Sequence, residues 1–408
     1  MTSPSSPPVR RLIQSDICIV GNGAIAKTAA LAFTQAGQSV TMLSPPTSAP
    51  AAAAGDPGWD VRVYALNHTA RDLLAALKVW GALDAARVAP VDAMLVNGDG
   101  AHAGGLAFDA YGARTGTLAW IVEDRNLNQA LDAALQFAPN VELVSGRASG
   151  LVRAADGAAV HLDDGTVIRA ALVVGADGAQ SWVRGQCDIG LDYRAYGQCA
   201  VVSNFACELP HHGAAHQWFT GAEGIIALLP LPGNQVSLVW SAPDALAATL
   251  RRASAAQLAA RLDAYAGPKL GALTPLKPEL VRDIPLVLMR PHAMTAPRVA
   301  LVGDAAHVVH PLAGHGMNLG FADVAQLVKT VSAREPQRGA GDERVLARYA
   351  RARKEDVLLM QLTTDGLARL FGADLEPLRV VRNLGLNLLD KLPMLKRRLI
   401  SHALGSRG

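Results

Sequence analysis

The sequence predicts an α/β protein: a Rossmann-like domain, an inserted antiparallel β-sheet and C-terminal helices. Three observations lead there. An apolar strand runs directly into a glycine turn, Gly21-Asn22-Gly23-Ala24-Ile25-Ala26. Two later strands, Ala171–Val174 and Arg298–Val302, each end in small residues followed by a carboxylate, Asp177 and Asp304. Between them, from Ala195 to Pro243, β-rich sequence carries no glycine-turn signature. Open α/β sheets meet their ligands at the carboxyl ends of strands, so three such ends imply three loops around one extended ligand.

Size and charge bound the rest. The 408 residues leave room for two or three domains with a large core. Half are hydrophobic and 18% charged, and a net charge of +3 gives no reason to expect a nucleic-acid partner. Cys18, Cys187, Cys199 and Cys207 show no C-x-x-C or zinc spacing, so a reduced, cytoplasmic protein without a metal is expected. The Pro/Ser-rich start, MTSPSSPPVRR, lacks an apolar core and reads as a disordered tail over residues 1–15, not a signal peptide. No apolar run approaches the ~20 residues needed to span a bilayer.

Taken in order, Asp16–Val20 is a strand, Lys27–Ala36 a helix closed by Gly37, and Gln38–Leu43 a second strand. In this βαβ unit Gly21 permits the tight turn, Gly23 lets a pyrophosphate approach the backbone, and Ala26 keeps the helix close to the strand. The acidic residue expected at the end of the second strand is missing; Ser44 stands there, a weaker acceptor for a ribose hydroxyl. Asp60–Leu66 leads into a helix from about Asn67 to Trp80, with Arg62 at its entrance as a candidate phosphate contact or a plain surface arginine.

Val91–Ala119 alternates short β runs with Gly-rich turns, as an antiparallel sheet would. Asp124 is expected to cap the helix Asn126–Gln136. Arg125 sits in its first turn, where the helix dipole disfavours a cation, which hints at an anionic partner. Strands are expected at Val141–Val144, Gly150–Ala154, Ala159–Leu162, Thr166–Ile168 and Ala171–Val174. The last of these opens into GADGAQSWVR, residues 175–184. A helix over Ser254–Tyr265 and strand-like Leu280–Met289 return the chain to Arg298.

The stretch Arg298–Gly320, RVALVGDAAHVVHPLAGHGMNLG, organises the site. Gly303-Asp304 ends the strand, and an apolar helix begins near Met317 beside the same crevice. A carboxylate for hydroxyls and a helix N-terminus for an electron-rich ring edge together suit a flavin nucleotide.

These pieces, with DVRVYAL (60–66), YGQ (196–198), Tyr349, Arg353 and Asn383–Leu386, resemble the FAD-dependent aromatic hydroxylases (class A flavoprotein monooxygenases) along almost the whole chain. Within them the resemblance is to the branch that hydroxylates polyprenyl-phenol rings in ubiquinone biosynthesis. It implies a Rossmann-like FAD-binding domain of the glutathione-reductase/p-hydroxybenzoate-hydroxylase type. The expected division is FAD-binding segments at 16–90, 121–190 and 285–342, substrate-sheet segments at 91–120 and 191–284, and a C-terminal helical region at 343–408. The resemblance further implies that Gly303-Asp304 meets the ribityl hydroxyls, and that the Gly316, Met317 and Asn318 backbone faces the isoalloxazine pyrimidine edge. Arg62 and Arg125 would contact the pyrophosphate or ribityl chain, and Asp177-Gly178 would hold the loop shared with the reductant. His310, Pro311 and His315 would line the reacting ring. The family usually has Gly at Ala26, a carboxylate at Ser44 and Gln at His315.

The implied reaction uses FAD, NAD(P)H or another reductant, and O2, and passes through a flavin C4a-hydroperoxide to an electron-rich phenol. The implied partners are a prenylated aromatic substrate and other ubiquinone-biosynthesis proteins. The leucine-rich, basic stretch 376–408 suits either an amphipathic element at the inner face of a membrane or a helix packed on its own domain. Three rivals share the flavin motifs or part of them: a hydroxylase for a small soluble aromatic compound, a flavin-dependent halogenase and a non-catalytic flavoprotein scaffold. The halogenase is disfavoured because W-x-W-x-I-P is missing, the nearest string being Val239–Pro243.

Overall fold

The structure is a computed structural model and describes residues 11–46, 58–98, 104–276, 281–310 and 315–372. Pro311 and the stretch 376–408, with its expected lipid-facing helices and Asn383–Leu386, lie outside the described residues. The helices are α1 (Ala24–Gln35), α2 (His68–Ala76), α3 (Asp124–Gln136), α4 (Trp182–Gln186), α5 (Asp244–Arg252), α6 (Ala255–Leu270), α7 (His315–Ser332) and α8 (Glu343–Gly372). Among the described residues no helix is long and apolar enough to cross a membrane.

One eight-stranded sheet carries the glycine turn. Its parallel core runs Val299–Leu301, Val167–Gly175, Leu12–Val20, Val40–Ser44, Val141–Ser145, with Ala148–Ala154 and Gly157–Leu162 added as an antiparallel extension on Val167–Gly175. Ile17, Ile19 and Val174 pack on one face against α1, α3 and α7, while Cys18, Val20 and Val173 pack on the other. Strands buried on both faces read as unbroken apolar runs, which is why these were visible in the sequence.

Two expectations for this sheet need correction. The first strand begins at Leu12, so residues 12–15 are not tail: Leu12–Ser15 pair with Val167–Ala170, and Ile13 is buried. The separate strands expected at Thr166–Ile168 and Ala171–Val174 are one strand, Val167–Gly175. Arg169, between the two, is an exposed position in a half that alternates in and out; the second half is buried throughout.

The second eight-stranded sheet is mostly antiparallel. Its order is Leu273–Pro275, Leu191–Cys207, Gln235–Pro243, Ile225–Leu231, Ala214–Phe219, Ala93–Asn97, Gly105–Asp109, with Arg282–Pro291 also on the long Leu191–Cys207 strand. The helices α5 and α6 cover one face through Val201, Phe205, Leu228, Leu238 and Trp240. The opposite face meets the segment leading into the small third sheet, where Asn204 Nδ2 donates to the Asp60 carbonyl at 2.9 Å. The long strand bulges where it matters: its register with Arg282–Pro291 slips between Ala195 and Cys199, and Gly197 takes a φ of +67°. Bulges re-aim side chains, here those of Tyr196 and Gln198.

A small third sheet, Val63–Leu66, Ala119–Glu123, Val88–Val91, bridges the two. It was not expected. Its anchor is Glu123, fully buried and bonded to Arg87 and to the Asp60 N–H. Glu123, not Asp124, occupies the N-cap position of α3, with no side-chain cap. The Asp124 carboxylate accepts instead from Tyr64 Oη at 2.6 Å and Asn128 Nδ2 at 3.0 Å.

Candidate cofactor and substrate site

Register brings the three loops together. Val20 lies opposite Gly175, and Gly175 opposite Leu301, so the carboxyl ends of three neighbouring parallel strands are level. Gly21, Ala176-Asp177 and Gly303-Asp304 follow at the same sheet edge. The contact between the first two leaves no room for a side chain: a Cβ on Gly21, at φ +141°, would stand 2.2 Å from the Ala176 carbonyl oxygen.

Gly23 is the N-cap of α1; no side chain caps that end and no acidic residue stands in its first turn. The first-turn N–H groups of this twelve-residue helix are thus free of side-chain acceptors, the arrangement an anion needs. Ala26 is fully buried in the core under the helix. Ser44 ends its strand beside Ser145, half-buried, and its hydroxyl makes no hydrogen bond among the described residues.

Asp304 sits in a short 3-10 turn, Gly303–Ala305. Water reaches its side chain, yet protein surrounds it closely enough that burial raises its carboxyl pKa, against the pull of His307 and Arg62. A carboxylate that is both wetted and hemmed in marks the floor of a cleft. Behind it, Asp323 of α7 is wholly buried and holds the turn: one oxygen accepts from the Gly303 N–H at 3.0 Å and pairs with His307 Nε2 at 2.6 Å. The other accepts from Arg353 Nε of α8 at 2.7 Å. Tyr349 Oη donates to the Leu301 carbonyl at 2.8 Å. Tyr349 and Arg353 therefore act from behind the turn. Asp323 itself was missed; its signal was a lone carboxylate inside the apolar run FADVA.

Asp177 folds back on its own loop. Its carboxylate accepts from the N-cap of α4, Ser181 Oγ, at 2.5 Å and from the Val183 N–H in the first turn at 3.0 Å, and Gly178 follows at φ +82°. Arg184, also unassigned by sequence reasoning, is buried and donates to the carbonyls of Ala179 at 2.7 Å and Ala305 at 3.0 Å. It fastens the Asp177 loop to the Asp304 turn.

Of the two arginines, Arg62 is exposed, lies over the Tyr64 ring at 5.6 Å, and is near enough to act electrostatically on Asp304. Arg125 is half-buried with Nη1 3.4 Å from the Gly58 carbonyl. Gly316, Met317 and Asn318 form the first turn of α7. The Asn318 side chain is engaged, accepting from the Asn67 N–H at 3.0 Å and donating to the Ala65 carbonyl at 2.8 Å, which joins α7 to the Asp60–Leu66 segment. His315 begins the helix, and its side chain lies outside what the structure describes.

His310 faces the other sheet. It is fully buried, with Nε2 3.2 Å from Gln198 Oε1 and the Tyr196 ring edge-on at 4.9 Å. Burial lowers its pKa to about 4, with Asp365 acting weakly in the opposite sense. Tyr196 in turn packs on an apolar cluster of Val96, Leu106, Phe219 and Ile225. A cavity of about 500 Å³ lined by Arg153, Arg298 and Arg338 lies at the opposite end of the strands, remote from these groups. No group of three metal-ligating side chains occurs among the described residues.

A family model described as FAD binding domain matches residues 122–360. The chain is 38% identical over 396 residues to the 3-demethoxyubiquinol 3-hydroxylase of Escherichia coli, covering 96% of this chain and 98% of that protein. It is 36% identical over 396 residues to ubiquinone hydroxylase UbiL of Rhodospirillum rubrum, covering 96% and 90%. Among solved structures, PqsL of P. aeruginosa in complex with 2-aminobenzoylacetate superposes with a TM-score of 0.75 at 23% identity, over 91% of this chain and all of that one, which speaks to the fold.

Proposed function

This chain belongs to the family of FAD-dependent aromatic hydroxylases, and from that premise we propose that it places one oxygen atom of O2 on the ring of a prenylated phenol in ubiquinone biosynthesis. The observation that carries the reading is the convergence of Gly21, Asp177 and Asp304 at one sheet edge, opposite an apolar wall reached through His310 and Tyr196. FAD supplies the activation of O2 and the oxygen transfer when bound, with NAD(P)H or another reductant as electron source.

The chain's own residues hold and shield. The uncapped first turn of α1 fits a pyrophosphate, and Gly21 and Gly23 let it come close. Asp304 is the acceptor for ribityl hydroxyls, kept in place by the Asp323–Arg353–His307 group behind it. Arg62 balances anionic charge at the mouth of the cleft, and Arg125 does so at the head of α3. The N-terminal amides of α7, at Gly316, Met317 and Asn318, favour negative charge on the pyrimidine edge. Val96, Leu106, Phe219 and Ile225 offer an apolar bed that keeps water from the reacting ring and suits a prenylated substrate better than an aromatic acid.

The test is product analysis on FAD-loaded protein with a short-chain 2-prenylphenol and with a salicylate-like acid. Substrate-dependent O2 uptake, a hydroxylated prenylphenol and little H2O2 support the reading. Turnover of the acid alone sinks the prenylated substrate. H2O2 release equal to O2 uptake with both compounds sinks the hydroxylase.

A further inference from the structure

His310 carries a buried polar atom that nothing among the described residues satisfies. Its Nε2 meets Gln198 Oε1 at 3.2 Å, and an amide oxygen can only accept, so the ring proton is on Nε2. Nδ1 is then a bare lone pair. It is buried and has no hydrogen-bond partner. Burial lowers the ring's pKa to about 4, which keeps it neutral and Nδ1 unprotonated near pH 7. The Tyr196 hydroxyl lies alongside, buried and without a hydrogen bond of ordinary geometry, with Arg194 and Asp365 near enough to interact with it weakly.

A buried acceptor left bare is disfavoured unless something donates to it. The local fold goes out of its way to place these groups. Tyr196 and Gln198 stand in the bulge that breaks the register of the Leu191–Cys207 strand, and Gly197 supplies the positive φ. The Arg194–Asp365 ion pair clamps the same bulge to α8. Tyr196 packs on His310 on one side and on the apolar cluster of Phe219 and Ile225 on the other.

We propose that His310 Nδ1 accepts the phenolic O–H of the aromatic substrate, with Gln198 setting the imidazole's tautomer and Tyr196 Oη making the second polar contact. The inference rests on the phenol reading above and deepens it: it says which atom of the substrate is recognised and by what. His310 and Tyr196 touch the substrate; Gln198 is a positioning residue that acts through His310.

The test is a binding measurement on FAD-loaded protein without reductant, so that nothing turns over. The probes are 2-prenylphenol and its methyl ether, 2-prenylanisole, titrated by flavin absorbance and by calorimetry. The wild-type protein should prefer the phenol by about tenfold, the worth of one donated hydrogen bond to an otherwise orphaned acceptor. His310→Leu should bind both probes with that preference gone. Gln198→Leu should lose most of it through a free tautomer, whereas Gln198→Glu, which still accepts from Nε2, should retain it and guards against a His310→Leu protein that fails to fold. A preference that survives in both His310→Leu and Gln198→Leu overturns the assignment. Equal binding of the two probes by the wild type also overturns it while leaving the prenylated substrate standing. If neither probe binds, the phenol reading fails and the assignment falls with it.

Discussion

Asp323→Asn should be among the most damaging single substitutions in the chain, although Asp323 faces away from the cleft. The Asp323, His307 and Arg353 side chains are 0%, 1% and 4% exposed. Asparagine keeps the shape but offers one acceptor oxygen where two are used. If that oxygen serves Gly303 and His307, the new amide N–H points at Arg353 Nε, donor against donor. If it serves Arg353, Gly303 and His307 face the amide instead. Either way a buried charge or a turn amide is left without its partner; in the first case Arg353 keeps Asp356 and the Leu319 carbonyl but loses residue 323. Breaking a buried pair from one side costs about 3–5 kcal/mol. Urea titrations followed in parallel by far-UV circular dichroism and by flavin fluorescence should show flavin release at lower urea than the wild type. The double variant Asp323→Leu/Arg353→Met should cost less than the two single changes added together. Burial alone would raise the Asp323 pKa, but the charges and hydrogen bonds of His307 and Arg353 outweigh it and hold it below 3.8. Because the folded value is the lower one, this stabilisation is complete above about pH 3.8 and is lost as the pH falls through the depressed value. An Asp323→Asn protein within about 1 kcal/mol of wild type that keeps its flavin would refute the reasoning.

Three further outcomes follow from the same structure. Gly21→Ala places a methyl group 2.2 Å from the Ala176 oxygen and should yield protein with no detectable flavin absorbance after purification. Ser44→Asp restores a carboxylate at the end of the second strand and should tighten FAD binding by roughly tenfold in an apoprotein reconstitution assay, a charge-assisted hydrogen bond in place of a neutral one. His216 stacks on Trp218 at 5.6 Å and its pKa is lowered to about 4, by burial first and then by Lys269 and His211. Its folded value is below the ordinary 6.5, so its contribution is complete above pH 6.5 and is lost as the pH drops toward 4. His216→Phe keeps the stack without the titration and should gain about 1–3 kcal/mol over wild type across that interval, read from urea midpoints at pH 7, 5.5 and 4.5.

Local pattern made the nucleotide-binding half legible. The Gly21–Ala26 turn and the carboxylates after Val174 and Val302 sit at the ends of short apolar runs, and a strand buried on both faces announces itself in one dimension. What a carboxylate does there was less legible. Asp177 and Asp304 look alike in sequence, but Asp177 bonds to the start of α4 while Asp304 opens to the cleft, and the difference lies in Ser181 and Val183, which Asp177 can reach. Asp124 looked like a cap and became a partner for Tyr64, sixty residues away. The Tyr196–Gln198 bulge was beyond reach, since a bulge is defined by the partner strand and Arg282–Pro291 is distant in sequence. Leu12–Ser15 was lost because half of an alternating strand is polar.

The order of strands in the first sheet has a consequence for how the molecule is made. Leu12–Val20 lies in the middle of the sheet and is made before the strands beside it, whereas the Val299–Leu301 strand that completes the cleft follows only after the whole second sheet. Until then the nascent chain presents the carboxyl-terminal half of Val167–Gly175 as an unpaired, wholly apolar edge. Such an edge is a template for wrong pairing. The chain cannot be steadied by its own ligand before the Asp304 turn, the first turn of α7 and the α8 arginine have been made. Burdens of this kind fall on chaperones.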